Sequence, residues 1–160
     1  MRVYLGSDHA GFELKAYLVS WLLDNGHEPV DCGPATYEPD DDYPPHVIAA
    51  AIRVAADNGS LGIVIGGSGN GEQIAANKVK GIRAALVWND DTATLARQHN
   101  DANVVSIGAR QHTLGEAARL VELFIGTDFS AEARHVRRLA MVTAYEETGV
   151  APSLPEPDVS

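Results

Sequence analysis

Short apolar segments alternate with longer segments of helical periodicity along almost the whole chain of 160 residues. The apolar segments are rich in Val, Ile and Leu, which is typical of strands that are covered on both faces. The predicted strands are Val3–Gly6, Pro29–Cys32, Leu61–Gly66, Arg83–Trp88 and Val104–Gly108.

The segments between and after these strands predict helices. In the first of them, Leu14, Leu18 and Leu22 fall on one stripe, and Gly26 supplies the stop signal. Ser130 is the predicted N-cap of the last helix, which we expect to reach about Glu147. The first predicted helix is Phe12–Asn25, and those between it and the last are His46–Asp57, Glu72–Val79, Asp90–Gln98 and Thr113–Ile125.

This alternation predicts right-handed βαβ units, and therefore a single Rossmann-like three-layer α/β domain with a five-stranded, mainly parallel sheet. We assign residues 1–148 to this domain. The stretch Pro34–Pro45 carries four prolines and predicts a long loop. The proline-rich tail, residues 149–160, is expected to be mobile unless a second subunit holds it.

The charge and the cysteine content limit the partners and the compartment. A formal net charge of −10 excludes nucleic acid and an anionic membrane surface, because both are bound through positive surfaces. A small phosphorylated ligand is compatible with this negative net charge where arginines cluster. Cys32 is the only cysteine, and no apolar run is long enough for a signal peptide or a membrane helix. We therefore expect a cytoplasmic protein.

Polar residues follow three of the predicted strands. Ligands of an open parallel sheet bind beyond the carboxyl ends of its strands. The segments at these ends are Ser7–His9, Gly66–Glu72 and Gly108–Arg110, and His99 and Asn100 come just before the fifth strand. Such a crevice could carry acid–base chemistry on a phosphorylated ligand.

The loop from Gly66 to Gly71 contains four glycines and leads directly into a predicted helix. Glycine lets several backbone N–H groups turn toward one point, and a helix N-terminus adds positive potential. The pattern predicts a nest for an anion, either a phosphate or an oxyanion that forms during a reaction. A tight turn between strand and helix, without a ligand, is the alternative.

The same loop departs from the common nucleotide-binding signatures. Glu72 stands where a dinucleotide-binding loop has its third glycine, so its carboxylate would face a pyrophosphate, and no Gly-Lys-Ser/Thr follows. Asp90, however, occupies the place of a ribose-binding acid, about twenty residues on. A nucleotide-binding module without chemistry therefore stays a second hypothesis.

Glu72 begins the helix after the glycine loop. An acid in the first turn often serves only to complement the helix dipole. Beside an oxyanion nest it also supplies what proton abstraction next to a carbonyl requires, which is a base close to a site for enediolate charge. Since a helix end lowers a carboxyl pKa, we expect desolvation on substrate binding to raise the pKa of Glu72 again.

Other candidate residues have a structural as well as a functional explanation. Asp8 would serve equally as a helix cap, and His9 as an exposed side chain. The helix dipole alone favours His99 at the end of a helix. Arg134 and Arg138 share a helix face and suit a phosphate, although such faces are often only solvated. Cys32 has no activating neighbour in the sequence, and we assign it no catalytic role.

The chain from Met1 to about Glu147 resembles the RpiB/LacAB family of sugar-phosphate isomerases. The run Ile74-Ala75-Ala76-Asn77-Lys78 after the glycine loop is the most specific part of the match. The matching segments are Gly6–Gly11, Asp42–Pro44, Gly67–Lys78, Arg97–Asn100, Ile107–Arg110 and Arg134–Arg138.

The resemblance implies an aldose–ketose isomerase that interconverts ribose 5-phosphate and ribulose 5-phosphate through a cis-enediolate, without a metal or other cofactor. It also implies a homodimer with active sites at the subunit interface. A six-carbon sugar phosphate of the allose or galactose type is an alternative substrate, and the shape around Tyr43 and Asn100 would decide between them.

Residue roles follow from the same resemblance. His99 and Asp8 would open the furanose ring, and the enediolate would lie in a cradle made of Gly67, Ser68, Gly69, Asn70 and Gly71. The implied contacts with substrate and phosphate are His9, Asn100 and Arg110, with Arg134 and Arg138 donated by the neighbouring subunit.

Position 66 departs from the pattern of many family members. They have a cysteine base there, whereas Gly66 has no side chain that moves a proton. The sequence therefore resembles the branch of the family whose base is a glutamate at the start of the following helix, which is Glu72.

Overall fold

A computed structural model describes residues 1–154 and contains a five-stranded sheet between two layers of helices. All neighbouring strands are parallel, in the order β2-β1-β3-β5-β4. The strands are β1 (Arg2–Ser7), β2 (Glu28–Asp31), β3 (Leu61–Gly66), β4 (Ala84–Leu86) and β5 (Val104–Gly108). The predicted Rossmann-like α/β domain is confirmed, and its sheet is wholly rather than mainly parallel.

The helices pack on the two faces of this sheet. They are α1 (Phe12–Asp24), α2 (Tyr43–Ala56), α3 (Asn70–Ala76), α4 (Asp90–Asn100), α5 (Leu114–Gly126) and α6 (Ala133–Thr148), and a short 3₁₀ helix (His9–Gly11) precedes α1. One face carries the buried side chains of α1, α4 and α5, and the other those of α2 and α3. Helix α6 lies against α4 and buries only His135.

Several boundaries differ from the predicted ones. Helix α2 begins at Tyr43 rather than His46, because the two prolines that follow tolerate the first turn, where no N–H has an acceptor within the helix. Helix α4 continues to Asn100 rather than Gln98. Ser130 is not the cap of α6, since Ala131 has a φ of 52° that separates it from the helix, and Glu132 is the N-cap.

The predicted tail begins where α6 ends. Gly149, with a φ of 70°, terminates the helix in the left-handed conformation. Residues 155–160 lie outside the described part, so the mobility of the tail and the domain boundary stay predictions. Among the described residues, no helix combines the length and the apolar character that a membrane crossing needs.

Helix α1 buries a charged side chain, which helical periodicity does not predict. Lys15 is 1% exposed, and its Nζ donates to both carboxylate oxygens of Asp31, at 2.6 and 2.9 Å, and to the carbonyl oxygen of Pro34 at 2.6 Å. These bonds satisfy the buried ammonium group. They tie α1 to the end of β2 and to the loop that follows it.

Gly11 allows the start of α1 to lie close to β3. A β-carbon at this position would be 2.7 Å from the carbonyl oxygen of Ile65 and 2.8 Å from its Cγ2 atom. This close approach places the loop after β1 beside the end of β3.

Substituting Gly11→Ala is therefore expected to lower the free energy of unfolding by about 1–3 kcal/mol through overpacking. The φ of Gly11 is −94°, which alanine adopts freely, so the cost is steric. The control is Gly115→Ala in the first turn of α5, where a β-carbon meets nothing within 4 Å. Urea denaturation measures both variants, and a Gly11→Ala protein as stable as the parent would contradict this packing.

Candidate active site

Strands β1, β3 and β5 end side by side. Ser7 pairs with Ile65, and Gly66 pairs with Gly108, so the three loops that follow leave the same edge of the sheet. This edge is where the sequence predicted the site. The loops bring together the residues around a cavity of about 370 Å³.

Most of the predicted catalytic and binding residues of these loops line that cavity. Its lining consists of Asp8, Tyr43, Gly67, Ser68, Gly71, Glu72, Arg110 and Gln111. Gly69 and Asn70 belong to the same loop, where Gly69 is the N-cap of α3 with a φ of 81°. The N–H groups at the start of α3 have no acceptor among the carbonyl groups of the helix, so this end of the cavity favours negative charge.

Glu72 lies in the first turn of α3 and is only 4% exposed. Its carboxyl group occupies the space beside Gly66, where any β-carbon would clash with it. Glycine at position 66 is therefore a condition for this orientation of the carboxyl group.

The surroundings of Glu72 shift its pKa. Burial raises the pKa of the carboxyl above its ordinary value of 4.5, and the negative charge of Asp8 raises it further. The N–H groups of Glu72 itself and of Gly69 act in the opposite direction. The expected desolvation thus exists before any substrate binds, because the fold already buries the carboxyl group.

Asp8 and Ser68 are held by short-range hydrogen bonds. The Asp8 Oδ1 atom accepts from the N–H of Gly11 at 3.2 Å, which caps the 3₁₀ helix and fixes the carboxylate at the cavity wall. The Ser68 hydroxyl oxygen accepts from the backbone N–H of Asn70 at 3.3 Å and from its side-chain amide at 3.2 Å. No hydrogen bond among the described residues uses the hydroxyl proton of Ser68.

Arg110 brings positive charge to the cavity. A β-carbon on Gly67 would lie 3.2 Å from Nη1 of Arg110, so the guanidinium rests against the glycine loop. The N–H of Arg110 donates to the carbonyl oxygen of Gly67 at 3.1 Å, which couples the loops after β3 and β5. An anionic group of a ligand would find its charge partner here.

Two residues of the lining, Tyr43 and Gln111, were not among the predicted catalytic or binding residues, and Tyr43 was expected only to bear on the size of the sugar. The phenol ring of Tyr43 packs against Gly71, whose β-carbon would lie 2.7 Å from Cζ. The proline pair after Tyr43 is a sequence signal for the helix start that brings the ring to the cavity. Gln111 follows Arg110, and no motif distinguishes it.

His9 follows Asp8 but does not line the cavity. Its backbone N–H donates to Oδ1 of Asp41 at 2.7 Å, and its Nδ1 atom lies 3.1 Å from the same oxygen. Asp41 thus orients the imidazole from the loop that precedes α2.

Four predicted site residues, His99, Asn100, Arg134 and Arg138, are absent from the lining of this cavity. They belong to the end of α4 and the first turns of α6. The imidazole of His99 stacks on that of His135 with ring centroids 4.2 Å apart and an interplanar angle of 15°. This stack joins the two helices and gathers the four residues into what we name the α4–α6 group.

The α4–α6 group lies toward the opposite edge of the sheet. Just after α4, the carbonyl oxygen of Asn103 accepts from the N–H of Gly62 near the amino end of β3. From Gly62 to Gly66 the strand rises by roughly 13 Å, since each residue adds ~3.3 Å. Within one copy of the chain, His99 thus lies toward the amino edge of the sheet, outside the cavity that Glu72 lines.

Two other candidate groups are otherwise engaged. Arg119 binds the Asp90 carboxylate, with Nη2 at 2.6 Å from Oδ2, and lowers the pKa of Asp90. This leaves the carboxylate paired, which weakens the nucleotide-binding hypothesis. Cys32 lies away from the cavity, and burial raises the pKa of its thiol. In the described part of the chain, no group of three or more His, Cys, Asp or Glu residues could hold a metal ion.

The fold and the site together define an α/β protein with a buried carboxylate beside an anion nest, a class that includes proton-transferring enzymes. A family model described as Ribose/Galactose Isomerase matches residues 3–142. The chain belongs to this family of isomerases.

Individual relatives agree with that assignment. Ribose-5-phosphate isomerase B of Mycolicibacterium paratuberculosis is 57% identical over 155 residues, covering 97% of this chain and 98% of the relative. Its Escherichia coli counterpart is 38% identical over 146 residues, with coverages of 91% and 97%.

Solved structures show the same likeness. Ribose-5-phosphate isomerase B from Mycoplasma genitalium with bound ribulose 5-phosphate has a TM-score of 0.88 and 38% identity, covering 92% of this chain and 97% of that one. The enzyme from Clostridium thermocellum has a TM-score of 0.89 and 37% identity, with coverages of 94% and 100%.

The burial of Glu72 predicts a pH-dependent stability. Because its pKa is raised in the folded state, the ionised carboxylate costs free energy there, and this cost grows as pH rises from 4.5 through the folded-state value. The free energy of unfolding of Glu72→Gln should therefore rise relative to that of the parent as the pH goes from acidic to neutral. Glu122→Gln, at an exposed position of α5, controls for the loss of one charge. Urea titrations that show no such gain would contradict the burial.

Proposed function

We propose that this chain is a ribose-5-phosphate isomerase, which interconverts ribose 5-phosphate and ribulose 5-phosphate with Glu72 as the carbon base. The observation that carries the proposal is the buried Glu72 carboxyl group between Asp8 and the amides at the start of α3. The names of the relatives and family membership support the substrate and the reaction.

The reaction begins with ring opening. Asp8 takes the proton of the anomeric hydroxyl, and His99 protonates the ring oxygen, so the C1–O bond of the ring breaks and the aldehyde forms. Asp8 already stands at the cavity wall, and its carboxylate is oriented by the N–H of Gly11. The open chain then exposes C2 to Glu72.

Proton transfer follows at the opened carbonyl. Glu72 takes the proton from C2, the electron pair forms the C1–C2 double bond, and the carbonyl oxygen on C1 becomes negative. The amides of residues 67–71 and the hydroxyl of Ser68 would stabilise this oxygen. Protonated Glu72 then returns the proton to C1 while the hydroxyl proton on O2 passes to O1, so C2 becomes the ketone and C1 carries a hydroxyl group. These steps use groups of the protein alone.

Glycine at position 66 supports the choice of glutamate as the base. The β-carbon of a cysteine there would clash with the Glu72 carboxyl group in its present orientation. A cysteine base at position 66 and a glutamate base at position 72 therefore exclude each other in this geometry. We infer that the chain belongs to the glutamate branch of the family.

A homodimer would complete the site. One copy supplies the cavity with Glu72, Asp8 and Arg110, and a second copy would supply the α4–α6 group with His99 and the two arginines. Helix α6 also presents an apolar face formed by Met141, Val142 and Tyr145, which the described residues of its own copy leave exposed. A twofold interface over this face would bury it and form two equal sites.

The substrate alternative concerns only the length of the sugar. The ring of Tyr43 bounds the cavity beside Gly71, so it limits the space for a sixth carbon. We therefore favour the pentose over an allose or galactose phosphate, and a panel of pentose and hexose phosphates measures that preference. The cytoplasmic location stays a prediction from the sequence.

Glu72→Gln should abolish isomerisation while the protein still binds the sugar phosphate, because the amide keeps the shape but cannot take a proton. In the parent, the acid limb of the kcat/KM profile should lie above pH 4.5, since the raised pKa delays ionisation of the base. Turnover at the parent rate in the variant would rule out Glu72 as the base. A parent protein that shows no isomerisation at all would instead favour the nucleotide-binding module without chemistry.

Mixing two inactive variants tests the shared site. In a hybrid of Glu72→Gln and His99→Asn subunits, one site combines an intact Glu72 with an intact His99, and the other has neither. Purified hybrids should thus regain about half of the parent activity, as expected for a twofold dimer. Homodimers of each variant serve as controls, and hybrids as inactive as these would mean that the site is not shared.

A further inference from the structure

Asp101 follows α4 in a conformation that L-residues rarely adopt. Its φ is 42° and its ψ is 44°, the left-handed region in which helices commonly place a glycine after their last turn. Aspartate tolerates this region less well than glycine. An interaction of its side chain must therefore favour it here.

The carboxylate of Asp101 is shared by two arginines from different elements. Its Oδ2 atom accepts from Nη2 of Arg83 at 2.9 Å, and its Oδ1 atom accepts from Nη1 of Arg97 at 2.9 Å. Arg83 precedes β4, whereas Arg97 belongs to α4 itself. Each carboxylate oxygen thus has its own guanidinium partner.

Both arginines also bind the backbone at the end of α4. Arg83 donates from Nε to the carbonyl oxygen of Asn100 at 2.9 Å and from Nη2 to that of Asp101 at 2.7 Å. Arg97 donates from Nη1 to the carbonyl oxygen of Ala102 at 2.7 Å and from Nε to that of Thr127 at 3.3 Å. We name these three side chains, Arg83, Asp101 and Arg97, the α4 clamp.

The α4 clamp holds the turn that carries His99 and Asn100. Helix ends fray readily, and the last carbonyl groups of a helix lack partners within it. Here the carbonyl oxygens of Asn100, Asp101 and Ala102 are occupied by guanidinium donors. The two residues directly before Asp101 are therefore fixed relative to β4 and to the end of α5.

We propose that Asp101 is a positioning residue, which acts through the α4 clamp to orient His99 and Asn100 toward the active site of a second copy. This inference rests on the proposed function, because it takes the shared site as given. Asp101 would thus affect catalysis although it touches neither the substrate nor the reacting atoms.

Asp101→Gly is the sharpest test. Glycine suits the left-handed conformation, so the variant keeps the path of the backbone and loses only the carboxylate. We expect a folded dimer whose kcat falls by roughly 10- to 100-fold, the range for a displaced catalytic group. Asp57→Asn is the matched control, since it removes a carboxylate that is bonded to Arg2 at 2.9 Å and to Tyr4 at 3.0 Å rather than to the α4 clamp, and it should keep the parent kcat.

Hybrid dimers separate positioning from a general structural effect. Asp101→Gly should restore activity when paired with Glu72→Gln, because the intact site then takes Glu72 from one subunit and a correctly held His99 from the other. It should not restore activity when paired with His99→Asn, since both lesions affect the same half-site. If Asp101→Gly regains activity with neither Glu72→Gln nor His99→Asn, or if its own kcat equals that of the parent, the inference is overturned.

A second variant covers the case in which Asp101→Gly does not fold. Asp101→Asn tolerates the left-handed conformation and keeps one acceptor but loses the charge, so its kcat should lie below that of the parent, with the same pairing behaviour. A parent-like kcat in this variant would overturn the role of the charge. If Glu72→Gln and His99→Asn fail to restore each other, the failure lies in the proposed shared site, and the inference falls with it.

Discussion

The contact between the Glu72 carboxyl group and the backbone at Gly66 determines the rest of the site. The carboxyl group fits beside β3 only because position 66 has no side chain, and this fit buries it. Burial and the nearby Asp8 make it a stronger base than a surface glutamate, while the start of α3 opposes that effect. The adjoining glycine loop supplies donors for the charge that such a base would create.

The parallel sheet imposes a second constraint, which concerns assembly. Residues that follow strands collect at the carboxyl edge, whereas the end of α4 returns to the amino edge. In the proposed site, the base at one edge and His99 near the other therefore come from two different copies. Two features are consistent with this arrangement. The exposed apolar face of α6 favours the association of two copies. The α4 clamp fixes the end of α4, which carries the His99 that would be presented to the second copy.

Features with a local pattern could be predicted from the sequence, including the five strands, the glycine loop and Glu72 at a helix start. Contacts between distant segments could not. Periodicity gives no sign that Lys15 is buried by Asp31 and Pro34, that Asp41 holds His9, or that Tyr43 lies over Gly71. Sequence reasoning also expected a solvated Glu72 before substrate binding, because burial depends on how α3 packs against β3.

A crystal structure of the protein with bound ribulose 5-phosphate would test the central claim most directly. The account predicts a Glu72 carboxylate oxygen within ~3.5 Å of C1 or C2 of the sugar, the separation at which a group can react. It also predicts that His99 beside the same sugar belongs to the other copy. A Glu72 carboxyl group turned away from both carbons would contradict the account.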